Sequence, residues 1–264
     1  MIRLSVILPT YNRCKFLVQC LQSLINQSID KKLYEVIVID NNSTDNTCNV
    51  IKNYLEKSSI KWQYLLEKRP GVHNARNLGF TQAKGDIIVF GDDDIITPND
   101  WLERILKEFD NNPKLGLVGG KVLPLFEKTP PAWIYDYGSK KVHSILASLD
   151  YGDKDKLLDK DYLYSNNMAA RKDLILKTGG NAPCAFPPKF KKFSGSGEGF
   201  IIDNIRNLSY EVLYVPAIFV QHHVSSFRMN LNYFIDRYER LAVEEAFIIY
   251  RKHKKIKASF MLIY

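Results

Sequence analysis

The chain has 264 residues and a net charge of +8, with 45% hydrophobic, 25% charged and 12% aromatic residues. This composition is typical of a soluble globular protein and excludes a disordered chain, a collagen-like chain and a small disulfide scaffold. The chain has 37 basic and 29 acidic residues. This excess of positive charge favours an anionic partner, such as nucleic acid, a phosphorylated ligand or a membrane surface. No run of about 18 apolar residues predicts a membrane span.

The N-terminus and the cysteines indicate the compartment. The first apolar run ends at Pro9 and is too short for a signal peptide, so we expect a cytoplasmic protein. The cysteines have neither CxxC spacing nor zinc-site spacing, and we expect free thiols in a reducing environment. They are Cys14, Cys20, Cys48 and Cys184.

The first half of the chain alternates strand and helix patterns. Short apolar runs predict strands at 4–8, 36–39, 62–66, 87–90 and 115–122. Apolar residues at helical spacing predict helices at 16–25, 75–83 and 101–109, and another that begins near Asp45, which could cap it. This order predicts an α/β fold with a mostly parallel central sheet and flanking helices.

The second half is less regular. Residues 124–161 predict an irregular excursion, and residues 181–199, rich in Pro, Gly, Lys and Phe, predict a mobile loop. A short helix at 171–178, a strand at 211–215 and a long amphipathic helix at 231–253 complete the predicted elements.

Polar clusters follow three of the predicted strands. They are residues 10–13, 40–45 and 92–94. In parallel sheets ligands bind outside the carboxyl ends of the strands, so we expect these clusters to meet at one rim. Three adjacent carboxylates, Asp92, Asp93 and Asp94, repel one another unless something positive lies among them. A divalent cation with a bound diphosphate would meet this need, and an acidic turn before a helix is the alternative.

The other clusters suggest nucleotide contacts. Asp40 ends an apolar strand and could accept from a base ring N–H, or it could be a solvated strand end. Thr10, Tyr11 and Arg13 offer a hydroxyl, a ring for stacking and a guanidinium for phosphate, although a turn before a helix would also explain them. Arg76 could reach a phosphate or lie on the surface.

Four motifs in order, at 5–13, 38–45, 71–79 and 85–94, resemble family 2 glycosyltransferases with the GT-A fold. The resemblance implies a nucleotide-diphosphate sugar donor, a UDP-sugar above all, with Mn²⁺ or Mg²⁺ and inversion at the anomeric carbon. It divides the chain into a nucleotide-sugar-binding half (1–122), an acceptor-binding half (123–230) and a C-terminal helix and tail (231–264). Gly91 departs from the family, whose members usually carry a bulky apolar residue there.

The resemblance also assigns site residues. Donor-binding positions map onto Pro9, Thr10, Tyr11, Arg13, Asp40, Arg76, Asp92 and Asp93. Metal-binding positions map onto Asp92, Asp94 and His222, with His223 as the second choice for the histidine. An ungapped match from Tyr210 puts Glu198 on the general base position, although a one-residue gap would put Gly199 there. Asp203 is the fallback base.

Several alternatives stay open. A non-catalytic nucleotide-sugar binder would explain the irregular Gly-Glu-Gly sequence around Glu198, and a sugar nucleotidyltransferase would need a Gly-rich phosphate loop that residues 9–13 do not form. Nucleic acid explains the charge but not the aspartates, so we expect no nucleic-acid partner. The acceptor is expected to be a carbohydrate or a lipid-linked sugar. The basic segment 251–257 and the apolar residues after it could contact an anionic membrane leaflet, or end as a solvated basic helix.

Overall fold

The structure, a computed structural model, describes residues 1–137, 142–181 and 197–253. Within these ranges a sheet of eight strands forms the centre of the protein. In spatial order its strands are β10 (Lys156–Leu157), β12 (Glu211–Tyr214), β6 (Leu115–Gly119), β11 (Met168–Arg171), β4 (Ile87–Phe90), β1 (Leu4–Thr10), β2 (Tyr34–Asp40) and β3 (Lys61–Leu66). The strands β4, β1, β2 and β3 are parallel, which confirms the predicted α/β sheet.

Helices connect and cover these strands. They are α1 (Cys14–Ile25), α2 (Thr47–Leu55), α3 (Val72–Gln82), α4 (Trp101–Asn111), α6 (Lys172–Lys177) and α7 (Glu198–Asn207), with α5 (Ala132–Tyr137) and α8 (Leu231–His253) described below. Strands β1, β2 and β4 are buried along their whole length, as expected for strands covered on both faces. Gly79 lets α3 approach β1, because a Cβ there would lie 2.7 Å from Cγ2 of Ile7.

A second sheet corrects the predicted strand at 115–122. The chain leaves the central sheet after Gly119 and enters the second sheet at β7 (Val122–Phe126). Gly120 permits this turn, since a Cβ at that position would lie 1.7 Å from the carbonyl oxygen of Ile218. The other strands of this sheet are β5 (Ile95–Ile96), β13 (Val220–Val224), β9 (Ser148–Leu149) and β8 (Val142–His143).

The segment 124–161 is more regular than we expected from its sequence. It contributes β7, α5, β8, β9 and β10. Part of it packs into a small apolar cluster of Ile134, Ile145, Leu146, Val224, Met229 and Phe234. Their partners come from distant parts of the chain, so periodicity over a short window did not reveal them.

Strand β11 was not predicted either. It is antiparallel to both β4 and β6 and lies between them. Its four residues are too few to display a period. Most of the predicted mobile loop at 181–199 lies outside the described residues, as do 138–141 and 254–264. The long helix at 231–253 is confirmed as α8, and no helix in the described residues is long and apolar enough to cross a membrane.

Candidate active site

The three polar clusters meet at one rim of the central sheet, as expected. Thr10 and Asp40 end the paired strands β1 and β2 and are register partners, and the aspartate triplet (Asp92, Asp93 and Asp94) follows β4. The second sheet reaches the same place, because the backbone N–H of His223 in β13 donates to the carbonyl oxygen of Asp94 at 2.9 Å. The rim is therefore built from both halves of the chain.

Protein cations and a hydroxyl hold the aspartate triplet. The Thr10 hydroxyl donates to Asp93 at 2.7 Å. Arg13 Nη1 lies 3.1 Å from Asp93 Oδ1 and 2.5 Å from Asp94 Oδ2. Buried Arg76 pairs with Asp92 at 2.7 Å. The two arginines assigned to phosphate in the sequence analysis thus contact carboxylates in this structure, which relieves the repulsion among the three acids.

Asp94 is also close to His222, a residue 128 positions away in the sequence. His222 Nε2 lies 3.5 Å from Asp94 Oδ1, and both side chains are buried. His223, the second choice, instead has its Nε2 2.7 Å from Oε1 of Gln19 and its ring 5.4 Å from that of Phe16. The geometry therefore favours His222 over His223 as the histidine that acts with Asp94.

Arg228 belongs to this cluster and was missed in the sequence. Its Nη2 lies 3.8 Å from Asp94 Oδ2, and its side chain is mostly buried. Burial favours the neutral form of Asp94, but His222, Arg13 and Arg228 outweigh it and hold the pKa of Asp94 well below its ordinary value. An isolated arginine after a strand gives no signal in a single sequence. Only the turn after β13 brings it to the rim.

Asp93 has the opposite electrostatics. Burial raises its pKa to about 7, and the neighbouring charges of Asp94 and Asp92 act in the same direction, while Arg13 opposes them. The triplet therefore combines a carboxylate that stays ionised with one that is close to half protonated at neutral pH. This difference follows from the partners of each side chain, because all three acids adjoin in sequence.

The donor set fits a divalent cation in part. Among the residues that the structure describes, no group of three or more His, Cys, Asp and Glu side chains lies close enough to hold a metal ion. Asp92, Asp94 and His222 are thus not assembled as three ligands, since Asp92 is paired with Arg76. Asp94 Oδ1 and His222 Nε2 do converge, and a carboxylate oxygen with an imidazole nitrogen suits a first-row divalent ion.

Asp40 is fixed at the end of β2. Its Oδ1 accepts from the Ser43 N–H at 2.7 Å, and its Oδ2 accepts from the Tyr64 hydroxyl at 2.9 Å. Tyr64, from β3, was not identified in the sequence. Each carboxylate oxygen can accept more than one hydrogen bond, so Asp40 retains acceptor capacity for a ligand. Tyr11, which follows Thr10, the register partner of Asp40, is exposed.

Two asparagines join the loops of the rim. Asn12, at a positive φ of 53°, accepts from the Thr44 N–H at 2.7 Å, which ties the loop after β1 to the loop after β2. Asn41 accepts from the Gly71 N–H at 2.8 Å and donates to the carbonyl of Glu67. Asparagine tolerates positive φ, and its amide bonds to backbone on both sides. These contacts fix the rim loops relative to one another.

The two candidate bases lie on α7. Glu198 is its first residue and follows Gly197, whose φ is 73°. A carboxylate at a helix N-terminus is stabilised by the helix dipole. Burial, with the charges of Tyr151 and Glu198, raises the pKa of Tyr164 above its ordinary value. Asp203 accepts from the Tyr162 hydroxyl at 3.0 Å and pairs with Arg206 at 3.3 Å.

Comparison with known proteins identifies the family. The model of glycosyl transferase family 2 matches residues 5–175. The poly(ribitol-phosphate) beta-N-acetylglucosaminyltransferase TarS of Staphylococcus aureus strain Mu50 is 32% identical over 139 residues, which are 50% of this chain and 24% of TarS. The dolichyl N-acetyl-alpha-D-glucosaminyl phosphate 3-beta-D-2,3-diacetamido-2,3-dideoxy-beta-D-glucuronosyltransferase of Methanococcus voltae is 37% identical, over 47% of this chain and 40% of that one. This chain thus matches less than half of either relative.

Solved structures agree in fold. The mannosyltransferase PcManGT from Pyrobaculum calidifontis, in complex with GDP-Man and Mn²⁺, has a TM-score of 0.67 at 23% identity, over 97% of this chain and 65% of that one. S. aureus TarS 1–349 in complex with UDP has a TM-score of 0.62 at 21% identity, over 92% of this chain and 65% of that one. The fold is of GT-A type, and because the family model matches more than half of its length, the chain belongs to glycosyltransferase family 2.

Proposed function

We propose that the protein transfers a sugar from a nucleotide-diphosphate donor to an acceptor hydroxyl, with inversion at the anomeric carbon and with a divalent metal ion. The observation that carries this proposal is the cluster of buried Asp93, Asp94 and His222 with half-buried Arg13 at the carboxyl rim of a GT-A sheet. Relatives of the same fold are known with UDP, UDP-GlcNAc and GDP-Man, and these support a nucleotide-sugar donor, for which a UDP-sugar is our first choice.

The nucleoside would lie at the ends of β1 and β2. Asp40, held by Ser43 and Tyr64, would accept from a base N–H. Exposed Tyr11 would stack on the base, and Pro9 and Thr10 would line the floor beside it. Asp92 and Asp93 would meet the ribose. These roles need rigid acceptors, which the hydrogen bonds around Asp40 supply.

The diphosphate would lie over the aspartate triplet. Asp94 and His222, with Asp92 turned from Arg76, would hold Mn²⁺ or Mg²⁺. The ion supplies charge neutralisation for the departing diphosphate. Arg13 and Arg76 are within contact of these carboxylates and would share their charge with the diphosphate oxygens. The site is preorganised because its cations are held in place by the carboxylates before a donor arrives.

Glu198 would act as the general base. Inversion by direct displacement requires a base that takes the proton of the acceptor hydroxyl on the face opposite the departing diphosphate, which is worth about 10²- to 10⁴-fold in rate. Glu198 begins α7, where the helix dipole favours a carboxylate. Asp203 is the second candidate. Its hydrogen bond with Tyr162 and its ion pair with Arg206 favour a structural role over a catalytic one.

The acceptor would belong to polysaccharide or glycolipid synthesis. Two relatives are named for a poly(ribitol phosphate) and for a dolichyl-linked sugar, and both names support a carbohydrate or lipid-linked acceptor. We place the reaction in the cytoplasm or at the cytoplasmic face of a membrane, with no part for nucleic acid. The alternative, a nucleotide-sugar binder without transfer, is favoured by Gly197, which stands where the family often has a second acid before the base.

Calorimetric titration with UDP, GDP, dTDP and CDP, each with and without Mn²⁺, tests the donor site. Binding of one nucleotide that needs the metal and is lost in Asp94→Ala supports the proposal. Asp173→Ala is the matched control, because Asp173 is an exposed aspartate on α6 that pairs with exposed Lys177. If the folded protein binds none of the four nucleotides, the proposed donor site is wrong. Binding without any sugar transfer to carbohydrate acceptors would support the non-catalytic alternative.

A further inference from the structure

Arg228 is a mostly buried arginine whose guanidinium is weakly paired. Its side chain is only 14% exposed, and its Nε is buried with no hydrogen-bond partner among the residues that the structure describes. It pairs with Asp94 at 3.8 Å, which is beyond hydrogen-bond distance. A guanidinium has five N–H donors and keeps its proton, so burying it in this way is costly unless a further acceptor binds. Arg228 therefore has donors available for an anionic ligand.

Backbone contacts fix the position of this guanidinium at the rim. Arg228 ends the turn Ser226–Arg228, which follows β13. The N–H of Ser226 donates to the carboxylate of Glu127 at 2.6 Å, and this bond ties the turn to the residue after β7. The next residue, Met229, is buried in the small apolar cluster. Both contacts are independent of the aspartates, so the turn presents the guanidinium to the rim without help from the triplet.

The charges of the rim accommodate an anion once a cation binds. Three arginines face three carboxylates there, namely Arg13, Arg76 and Arg228 against Asp92, Asp93 and Asp94. A divalent cation held by Asp94 and His222 would leave a surplus of about two positive charges. The diphosphate of a nucleotide sugar is a dianion and would balance this surplus. Arg76 resembles Arg228, because its Nε and Nη1 are also buried with no hydrogen-bond partner in the described part of the chain.

The topology indicates which phosphate Arg228 would meet. The residues proposed for the nucleoside follow β1 and β2 of the central sheet, whereas Arg228 follows β13 of the second sheet. The aspartate triplet lies where the two sheets meet, because β13 pairs with β5, which begins directly after Asp94. A donor with its nucleoside at Asp40 and its diphosphate over the triplet would direct its outer phosphate, the one bonded to the sugar, towards the second sheet.

We propose that Arg228 binds the outer phosphate of the donor and stabilises it as the leaving group. The inference deepens the proposed function, since it rests on a nucleotide-diphosphate donor at the same rim. In the transfer step the acceptor oxygen bonds to the anomeric carbon, and Glu198 takes the acceptor proton. The bond from that carbon to the phosphate oxygen breaks, and its electron pair stays on the diphosphate. Arg228 donates to the phosphate on which this charge develops.

A comparison of nucleoside diphosphates with monophosphates tests this contact. Arg228→Met keeps a long side chain and removes the charge and the donors. At saturating Mn²⁺ we expect it to lose about tenfold or more in affinity for UDP or GDP, whichever the parent binds, because a charge-assisted hydrogen bond to phosphate is lost. Affinity for the matching monophosphate, UMP or GMP, should change by less than about threefold, since the outer phosphate is missing. Arg104→Met, at an exposed arginine paired with Asp100, is the matched control and should bind both as the parent does.

The metal requirement separates phosphate binding from support of Asp94. A guanidinium 3.8 Å from Asp94 repels a cation bound there, so Arg228→Met should need no more Mn²⁺ than the parent for half-maximal diphosphate binding. An arginine that only held Asp94 in place would give the opposite result, because its loss would raise the Mn²⁺ requirement. Arg228→Lys keeps the charge but not the planar fork, and its diphosphate affinity should lie between those of the parent and Arg228→Met.

Two results would overturn the assignment of Arg228. One is a diphosphate affinity of Arg228→Met equal to that of the parent, which would leave the donor site standing and refute this contact alone. The other is an equal loss of monophosphate and diphosphate affinity together with a higher Mn²⁺ requirement. A parent protein that binds no nucleotide would refute the donor site and this contact together. Retained monophosphate binding shows that a variant is folded, and Arg228→Lys carries the same comparison if Arg228→Met does not fold.

Discussion

Arg13 bridges two carboxylates, with Nη1 2.5 Å from Asp94 Oδ2 and 3.1 Å from Asp93 Oδ1. Both aspartates are buried. Arg13 is the N-cap residue of α1 and precedes Asp93 by 80 residues in the chain. This single guanidinium therefore connects the loop after β1 to the loop after β4. It places a positive charge of the protein's own among the carboxylates of the triplet.

Replacing Arg13 by Ala is expected to lower the free energy of unfolding by about 1–3 kcal/mol. The loss is smaller than for a fully buried pair because Arg13 is 37% exposed, but it leaves two buried acids without their shared partner. Arg104→Ala, which breaks an exposed pair with Asp100, should cost under about 1 kcal/mol. Urea unfolding of both variants checks the difference. Equal losses would mean that the Arg13 bridge contributes nothing beyond a surface pair.

Asp94→Asn is expected to reduce sugar transfer by about 10²-fold or more, because the amide removes a charged oxygen ligand from the proposed cation. Asp110→Asn, at an aspartate paired with Arg3 near the surface, should leave transfer unchanged. Activity measured over a range of Mn²⁺ concentrations distinguishes weakened metal binding from other losses. Full activity of Asp94→Asn at low Mn²⁺ would contradict the metal assignment.

Glu198→Gln is expected to retain donor binding and to lose about 10²- to 10⁴-fold in transfer rate. Asp203→Asn should change transfer much less, since Asp203 is exposed and bonded to Tyr162 and Arg206. Calorimetry of nucleotide binding and initial rates of transfer, measured on both variants, separate the two candidates. The reverse order of the two effects would assign the base to Asp203.

Tyr64→Phe is expected to weaken nucleotide binding by up to about tenfold with kcat nearly unchanged. It removes the 2.9 Å hydrogen bond that fixes Asp40, and a net hydrogen bond to a charged group is worth about 1.5–3 kcal/mol at most. Tyr135→Phe, at an exposed tyrosine on α5, is the control. A Kd for the nucleotide that does not change in Tyr64→Phe would show that Asp40 is held well enough by Ser43 alone.

Tyr34 supplies a pH dependence of stability. Burial raises its pKa to about 12 in the folded protein, against about 10 in the unfolded chain. A raised folded pKa gives stability that is complete below pH 10 and is lost as the pH rises towards 12. We expect Tyr34→Phe to be about 1 kcal/mol less stable than the parent at pH 8, because the 2.8 Å bond to the carbonyl of Leu24 is lost. Measured up to pH 12, the difference in free energy of unfolding between the parent and Tyr34→Phe should shrink to zero or change sign. A difference that stays constant with pH would contradict the raised pKa of Tyr34.

The predicted alternation of strands and helices, and the convergence of the clusters at 10–13, 40–45 and 92–94, are confirmed. Such features are visible in sequence because periodicity and strand ends are local, and because parallel strands bring their carboxyl ends to one edge whatever their detailed packing. The antiparallel strand β11 and the break at Gly120 were not visible. Both depend on neighbours more than 40 residues away.

By itself, the sequence determined the α/β class, the family motifs and the three polar clusters, 10–13, 40–45 and 92–94, that meet at the rim. Only the tertiary structure decided what each of them touches: Arg13 and Arg76 contact carboxylates, His222 rather than His223 faces Asp94, Arg228 joins the cluster, and Tyr64 holds Asp40. The physical reason is that a side chain's chemistry is set by its type, whereas its partners, its burial and its pKa are set by packing between segments far apart in the chain.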